Sequence, residues 1–489
     1  MTVGQPTAQE RVPHVRISRG RIATNFLSMA STSVLGLVVT ILISVYVRRV
    51  LGPSAIGQVS WAMAVVLYLT AVVTPGLATV GQRELALAPE RGQSLLALVL
   101  TLQTLLALVA YALLAIVALL EPRGATVSLL LLIQGVTVFS IAWNTTWVLQ
   151  AQERMVAPSL AALAFNAAQL PALMLLIDSP DDLILYAVLT LPFAFATVAF
   201  NVWYLSHRKV VRLAGLRPTL RGARALFREA WPLALAQVAI LLIANTGTVV
   251  LGFTDGDDAV GQFYSAFRLM MVAGLVTAAL WNAYFPSFAR SREHPEQAVA
   301  LSREYLGLLA WMGLPLAAVG WALGRHVVEL LYGPAFAPAG HYFEWLCLTI
   351  GLTFVNYGVA ATLVPWGRGD LQLRITSAAA LLNIVVCLAA APLVGPWGAV
   401  AASIASEFLV VMMGIALRYR LKIFWHPVLP LIAAPLLCSV AVAVVLVALP
   451  RSLDHLWFVQ LAAAGLVIAA CMVACEWRTL RRLRQMLQR

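Results

Sequence analysis

Long stretches without a charged side chain constrain this chain more than any other feature. Six of them lie in the first half and contain no Asp, Glu, Lys or Arg: 26–47, 59–81, 94–120, 126–151, 158–177 and 183–206. Eight further apolar segments follow, interrupted only by Arg268 and Glu407: 230–254, 259–289, 305–324, 345–367, 375–395, 399–417, 427–449 and 456–475. About 20 apolar residues span a bilayer as a helix, in which every backbone hydrogen bond closes within the segment. The sequence therefore predicts an all-α integral membrane protein with about 14 transmembrane helices.

Composition narrows the chemistry. Hydrophobic residues make up 61% of the 489 residues and charged residues 11%, whereas a soluble domain carries roughly 25% charged residues. All five cysteines fall within predicted helices, where a thiol packs as a small apolar group, so we expect neither a disulfide nor a metal site. The sequence contains no G-x-x-x-x-G-K-[ST] phosphate loop. We therefore predict no cofactor and no ATP hydrolysis by this chain.

The basic residues behind the net charge of +12 lie mainly in the loops and terminal segments between the predicted helices. If the N-terminus is cytoplasmic and every helix crosses, 27 of the 33 Lys and Arg residues face the cytoplasm and five face outward. Cytoplasmic loops of membrane proteins carry such an excess. The basic balance therefore indicates orientation and not a nucleic acid partner. It predicts a multi-pass protein of the cell (inner or plasma) membrane with both termini in the cytoplasm.

The sequence contains two copies of one turn motif. The stretch "LGPSAIGQ" (51–58) follows predicted helix 1, and "LGFTDGDDAVGQ" (251–262) follows predicted helix 7. Likewise "AALAFN" (161–166) in helix 5 matches "AAALLN" (378–383) in helix 11, again six helices on. Because six is even, both copies enter the membrane in the same orientation. The sequence thus predicts two six-helix lobes with parallel repeats around a central cavity, plus two C-terminal helices.

This repeat divides the chain into six parts. They are a cytoplasmic N-terminal segment (1–23), a first lobe of helices 1–6 (24–206), a basic linker (207–229), a second lobe of helices 7–12 (230–417), helices 13–14 (427–475) and a basic cytoplasmic tail (476–489). In the linker, Arg221, Arg224 and Arg228 share one face of a helix. An amphipathic helix in the membrane interface and a solvated basic loop both remain open.

Segment 46–86, "YVRRVLGPSAIGQVSWAMAVVLYLTAVVTPGLATVGQRELA", resembles the polysaccharide (O-antigen-type) flippases. These belong to the superfamily that also holds multidrug/toxin extruders and the peptidoglycan-precursor flippase. The resemblance is carried by Asn25 before helix 1, the turn "LGPSAIG" (51–57) and "GQRE" (81–84) at the end of helix 2. "EAWPLALAQ" (229–237) resembles the family's start of helix 7. The resemblance covers most of helices 1–12.

The resemblance implies two six-helix bundles around a central cavity. It also implies alternating-access export of a polyprenyl-diphosphate-linked oligosaccharide. Such a substrate poses a specific problem, because each unpaired polar group in hydrocarbon costs several kcal/mol. A polar, basic passage that opens sideways to lipid would solve it, since the lipid tail can stay in the bilayer.

Two charges inside predicted helices are the main candidates for function. Arg268 binds the diphosphate, pairs with an internal acid or extends its charge to the membrane interface, because an arginine in mid-membrane is expensive and its planar fork suits phosphate. Glu407 is a partner for Arg268, a proton or cation site for coupling, or a structural hydrogen-bonding group. Because Glu407 is the only strong candidate for ion coupling, the energy source of transport stays open.

Three further arginines lie at predicted helix ends. Arg83, at the inner end of helix 2, is either a topological charge or a second phosphate ligand. Arg48 and Arg49, at the outer end of helix 1, either guide the diphosphate outward or extend their charged ends to the interface.

Amides within or beside helices are expected to bond neighbouring helices or to face sugars. They are Asn25, Asn144, Gln169, Asn245, Asn282, Asn356 and Asn383.

The predicted function is a lipid-linked oligosaccharide flippase and not an enzyme. The predicted partners are the lipid-linked oligosaccharide, membrane lipids, and a polysaccharide polymerase with its glycosyltransferases. A multidrug/toxin extruder of the same fold is the alternative, although organic cations would favour more buried carboxylates than Glu407 alone. A membrane glycosyltransferase or polymerase is a weaker one, because the outer loops are short and poor in acids.

Overall fold

A computed structural model describes residues 19–208, 211, 217, 219–422, 427–448 and 457–487. Within these residues all regular structure is helical. The α-helices are, in chain order, α1 (Arg19–Val73), α2 (Leu77–Leu87), α3 (Gly92–Leu120), α4 (Ala125–Gly135), α5 (Thr137–Ala142), α6 (Thr146–Ala151), α7 (Val156–Leu176), α8 (Leu183–His207), α9 (Ala223–Thr254), α10 (Gly256–Arg290), α11 (Pro295–Tyr332), α12 (Ala337–Val359), α13 (Gly369–Val394), α14 (Pro396–Leu421), α15 (Leu429–Ala448) and α16 (Trp457–Leu487).

Twelve helical segments of the described chain are long and apolar enough to cross a membrane. The first, Leu35–Val73, contains two predicted helices, because the backbone turns at Gly52 inside α1. A shorter apolar helix, Phe458–Ala474, matches the last predicted crossing. With the two arms of α1 counted separately, the described residues contain fourteen apolar helical segments. The prediction of an all-α membrane fold is confirmed.

Two predicted helices are interrupted. The second stops at Val73 and resumes as α2 at Leu77, because Pro75 has no amide to donate and the Thr74 hydroxyl bonds the Thr70 carbonyl. The fourth is divided into α4, α5 and α6. Near its second break the Asn144 side chain accepts a hydrogen bond from the Thr146 amide at 2.9 Å, a local bond that competes with helical pairing.

The helices pack as two bundles. In the first half, α1 packs against α3, α4 and α7, and α8 packs against α4 and α7. In the second half, α9 packs against α13 and α14, while α12 packs against α10, α11 and α14. The bundles meet chiefly where α1 contacts α9 and α10, and α15 joins the second bundle through α11. The lobe limits 24–206 and 230–417 remain predictions.

The predicted linker and terminal segments are described only in part. Residues 1–18, most of 209–218 and 488–489 lie outside the described residues. The last part of the linker leads into α9, where Arg224 and Arg228 are exposed while Leu226 and Ala230 are buried. Leu220 and Phe227 of the same stretch are exposed as well. The interfacial helix and the solvated basic loop both stay predictions.

Candidate functional site

A cavity between α1 and α10 contains Arg268. The side chains that face it follow helical spacing on both helices, so one face of each helix forms a wall. Its volume is about 310 Å³. It is lined by Leu37, Thr40, Ile41, Ser44, Arg268, Leu269, Met271, Val272, Leu275 and Tyr332. We refer to it as the Arg268 cavity.

Arg268 itself is exposed to this space. Among the described residues it makes no hydrogen bond and no ion pair. An arginine within a membrane span normally has a partner, because an uncompensated charge there is costly. Its guanidinium is thus available to an anion that enters the cavity from outside the protein.

Arg48 lies one helical turn after Ser44 and is not itself a lining residue of the Arg268 cavity. Only 6% of it is exposed. Its Nε donates to the Ser265 hydroxyl at 2.9 Å, and its Nη1 donates to the Ser44 hydroxyl and carbonyl. The guanidinium carbon lies 4.9 Å from the ring centroid of Tyr332. Two cavity-lining residues, Ser44 and Tyr332, therefore also hold Arg48.

Arg49 has a different environment. Its Nε and Nη2 donate to the carbonyls of Leu331 and Leu330, at 2.8 and 2.6 Å. These are carbonyls of the last turn of α11, which lack partners within that helix. Arg49 is therefore a cap of α11 and faces away from the Arg268 cavity.

An apolar groove adjoins the Arg268 cavity and shares Leu37, Leu269 and Val272 with it. The groove has a volume of about 410 Å³ and runs between α10, α11 and α12 to Leu461 of α16. Its remaining walls are almost entirely aliphatic or aromatic. The Arg268 cavity and the apolar groove are therefore adjacent.

Glu407 lines a second cavity, of about 460 Å³, inside the second bundle. It accepts a hydrogen bond from Asn356 Nδ2 at 2.8 Å. Two buried oxygens near it, Asn356 Oδ1 and Gln372 Oε1, have no hydrogen-bond partner among the described residues. Within the same part of the chain no arginine forms an ion pair with Glu407. The proposed pairing of Glu407 with Arg268 is thus absent from this conformation.

The other amides are mostly engaged within the protein. Asn245 and Asn383 are buried and donate to the Leu241 carbonyl and the Ser406 hydroxyl. Asn144 is exposed and accepts a hydrogen bond from the nearby Thr146 amide, whereas Asn282 is exposed and Gln169 is half-buried. The side chain of Asn25 lies outside the described residues.

Arg83 joins the two bundles through Glu229, with which it forms an ion pair between α2 and the start of α9. Both side chains are well exposed. Neither lines the Arg268 cavity. This end of the molecule, where residues 209–222 connect the bundles, is called the linker end below.

The opposite end, called the turn end, carries the two repeated turns. Gly52 and Gly256 adopt φ of 75° and 84°, in the left-handed region that glycine tolerates. The following Gly57 and Gly261 meet each other's turns. A Cβ on Gly57 would lie 1.7 Å from the Asp257 carbonyl oxygen, and one on Gly261 would lie 1.8 Å from that of Pro53. The duplicated motifs therefore close the turn end by backbone contact.

Arg123, in the α3–α4 connection, reinforces this closure. Its Nε bonds Glu121 at 2.7 Å, and its Nη1 lies 3.6 Å from Asp257 Oδ1 and 3.3 Å from the Gly252 carbonyl. Its guanidinium carbon lies 3.5 Å from the ring centroid of Trp61. Sequence reasoning missed Arg123, because its position in a short loop gave no sign that it crosses to the second bundle.

Arg418 was also missed. The charge pattern places it with the cytoplasmic charges, but the structure leaves only 4% of it exposed. Its Nη2 donates to Ser302, Gly358 and Thr362, at 3.1, 2.9 and 2.6 Å. These residues belong to α11, α12 and the turn after it, so Arg418 ties three segments of the second bundle together.

Comparison with known proteins agrees with this architecture. A family model described as "Polysaccharide biosynthesis protein" matches residues 22–292, which is more than half of the chain. The chain belongs to this family. A relative from Shigella dysenteriae that carries the name of an O-antigen transporter is 22% identical over 370 residues. The match covers 75% of this chain and 92% of the relative.

Two solved structures of other proteins resemble the fold of this chain. The lipid II flippase MurJ in an inward closed conformation matches with a TM-score of 0.78 at 13% identity, covering 94% of this chain and all of its own. An inward-facing multidrug MATE transporter of the MOP superfamily matches with a TM-score of 0.56 at 16% identity, covering 79% of this chain and 95% of its own. These relatives are named as transporters and flippases, not as enzymes.

Proposed function

We propose that this protein is a flippase that carries a polyprenyl-diphosphate-linked oligosaccharide from the inner to the outer leaflet. The observation that carries the proposal is Arg268, an unpaired cation that faces a cavity between two membrane-embedded bundles. An arginine at such a depth suits a phosphate, because its fork forms two charge-assisted hydrogen bonds. The names of the relatives agree with this class of substrate.

The apolar groove supports the same substrate. A lipid with a diphosphate head needs a polar chamber for its head and lipid-like walls for its tail. The Arg268 cavity and the adjoining groove offer the two side by side. Burial of the tail along apolar walls costs nothing relative to the bilayer, so the protein has to compensate only the head.

The distribution of basic residues gives the orientation on which the proposed direction rests. The positive-inside rule assigns the linker end, with Arg83 and the start of α9, to the cytoplasm. The turn end is then the outer end, and the Gly57–Gly261 contact closes it. In this arrangement the membrane potential favours outward movement of an anion, by about 2.3 kcal/mol per charge per 100 mV. Glycosyltransferases would supply the substrate, and a polymerase would consume it.

The test is a deletion strain that loses surface glycan and accumulates lipid-linked glycan in the inner leaflet. Expression of the wild-type chain should restore export. Arg268→Ala should slow export about 10- to 100-fold, since a charge-assisted hydrogen bond contributes about 1.5–3 kcal/mol. Arg325→Ala, which removes an arginine that contacts His341 and Glu344, is the matched control. Full export by Arg268→Ala at normal expression would contradict the proposal.

A multidrug extruder is the second candidate. The Glu407 cavity favours it, because a carboxylate beside Trp281 and Tyr357 could attract an organic cation. The same carboxylate, with the free oxygens of Asn356 and Gln372, also suits a proton or a small cation that drives a flippase. Dye resistance that depends on Glu407 without any glycan defect would support the extruder. Loss of glycan export in Glu407→Gln would support coupling.

A further inference from the structure

Arg48 is a buried cation with no role in the phosphate contact proposed for Arg268. The sequence leaves two roles open for Arg48, guiding the diphosphate outward or extending its charge to the membrane interface, and 94% of the residue is inaccessible to solvent. Its hydrogen bonds go to Ser44 and Ser265, and its third contact is the Tyr332 ring. None of these carries a negative charge. Burial of a cation among neutral partners costs free energy unless an anion compensates it at some stage.

The position of Arg48 identifies where such an anion would come from. Ser44 and Tyr332 contact Arg48 and also line the Arg268 cavity. Arg48 therefore contacts two side chains of the cavity wall, and no carboxylate among the described residues forms an ion pair with Arg48 or with Arg268.

Arg48 also lies nearer the turn end than the rest of the cavity wall of α1. It is four residues beyond Ser44, which corresponds to about 6 Å along the helix. Four residues further on, the chain turns at Gly52 and enters the closed contact of Gly57 with Gly261. A head group that leaves Arg268 toward the turn end would meet Arg48 next.

The bond from Arg48 Nε to Ser265 crosses between the bundles, because α1 belongs to the first and α10 to the second. If the turn end opens, α1 and α10 separate and this bond must break. Ser265 is fully buried, so no water replaces Arg48 as its partner in the closed form. An anion that accepts the Nε–H in place of Ser265 would remove the cost of breaking the bond.

We propose that Arg48 forms a second phosphate subsite, in which the diphosphate of the substrate takes over the hydrogen bond now donated to Ser265 as the turn end opens. This inference rests on the proposed anionic lipid substrate. It assigns the second phosphate contact to Arg48 and not to Arg83, whose guanidinium is paired with Glu229 outside the cavity. Substrate binding and opening of the turn end are then linked through one hydrogen bond.

The test uses the full chain in lipid nanodiscs, with undecaprenyl diphosphate and undecaprenyl monophosphate as probes. Arg48→Gln should weaken binding of the diphosphate about tenfold, because a charge-assisted pair is lost. Arg48→Lys should weaken it less, since the charge remains and only the fork is lost. Arg49→Gln is the matched control, because this adjacent arginine caps α11, and its affinity should stay within about twofold of wild type.

Ser265→Ala separates a phosphate contact from a merely structural role. Without the hydroxyl, the Nε–H of Arg48 has no competing acceptor, so the diphosphate should bind about two- to fivefold more tightly. A structural role for the Arg48–Ser265 bond predicts lower stability and no gain in affinity. Thermal unfolding of each variant checks that the chain is folded.

The outcomes distinguish this inference from the proposed function. Wild-type affinity in both Arg48→Gln and Ser265→Ala, with binding lost in Arg268→Ala, would overturn the second subsite and leave the flippase proposal intact. Failure of the wild-type chain to bind the diphosphate lipid at all, with binding of organic cations instead, would overturn both.

Discussion

The two repeated turns use the same motif in different ways. Both place a glycine, Gly57 or Gly261, where the other turn's backbone passes, so their contact at the turn end is nearly symmetric. Their surroundings are not. The second turn is four residues longer and carries Asp257, which lies 3.6 Å from Arg123 of the first bundle. The first turn has no acidic residue and receives no such contact.

The glutamines that end the two motifs differ as well. Gln262 donates to the Ala335 carbonyl at 2.9 Å and accepts from the Ala339 amide at 3.1 Å, so it holds the α11–α12 connection. The equivalent Gln58 has a buried Oε1 with no partner in the described part of the chain. Duplication thus supplied a close contact between the bundles. Divergence supplied the polar contacts that only one copy makes.

The largest effect should come from filling the shared glycine contact. In Gly57→Ala or Gly261→Ala the new methyl group would overlap a backbone carbonyl, and overpacking of this kind costs about 1–3 kcal/mol or more. The turn end should then fail to close, and export should fall at least about tenfold. Gly274→Ala is the control, since a Cβ there meets nothing within 4 Å. Normal export by both glycine variants would show that the contact is not needed.

A smaller effect is expected from Arg123→Ala. The variant loses the contacts with Asp257 and Trp61, and a partly buried cation–π contact alone contributes about 0.5–2 kcal/mol. We expect the turn end to open more often, seen as faster labelling of a cysteine introduced at Thr248, which is buried here. Arg325 contacts His341 and Glu344 of α12, in its own bundle. Its replacement in Arg325→Ala should therefore leave the labelling rate unchanged. Equal labelling in both variants would remove Arg123 from the closure.

The two glutamines should differ in their effect on stability. Gln262→Ala leaves the buried amide of Ala339 without its partner, which costs about 1–3 kcal/mol. Gln58→Ala removes a side chain whose carbonyl oxygen is already unpartnered, so its cost should be clearly smaller. Thermal unfolding of the purified chain in detergent measures both. An equal loss of stability would mean that Gln58 has a role symmetric to that of Gln262.

The smallest effect should come from the linker end. The Arg83–Glu229 pair joins the bundles there, but both side chains are exposed, and surface ion pairs contribute little. Exchange of the two charges, Arg83→Glu with Glu229→Arg, should restore whatever either single variant loses. If Arg83→Gln abolishes export and the exchange does not rescue it, Arg83 has a role beyond this ion pair.

The sequence predicted the helices and the repeat correctly, because these depend on local properties. A long uncharged run favours a helix in lipid largely independently of its neighbours. The two repeated turns are recognised by the spacing of their glycines. It also found Arg268 and Glu407, since a charge within such a run is conspicuous. It did not anticipate the breaks at Pro75 and Asn144, where short-range side-chain and proline effects outweigh the apolar pattern.

The roles of the other arginines could not be read from the sequence. Arg48 and Arg49 are neighbours with identical chemistry, yet one is buried beside Ser265 and the other caps α11. Successive residues of a helix point about 100° apart, so the rotation of α1 against α10 and α11 decides which of the two arginines is buried and which one caps α11. Arg123 and Arg418 illustrate the same limit, because their partners lie on other segments of the chain.

The sequence by itself determined that the chain is a membrane-embedded helical protein, built from a duplicated unit, with two charges inside its spans. The cost of placing charges and unpaired backbone groups in hydrocarbon acts on each segment separately, so it is visible in the order of residues. Only the tertiary structure decided that Gly57 meets Gly261, that Arg48 contacts Ser44 and Tyr332 of the Arg268 cavity, and that Glu407 occupies another cavity. Those contacts depend on how helices rotate and pack against one another, which small residues and interhelical bonds set between distant parts of the chain.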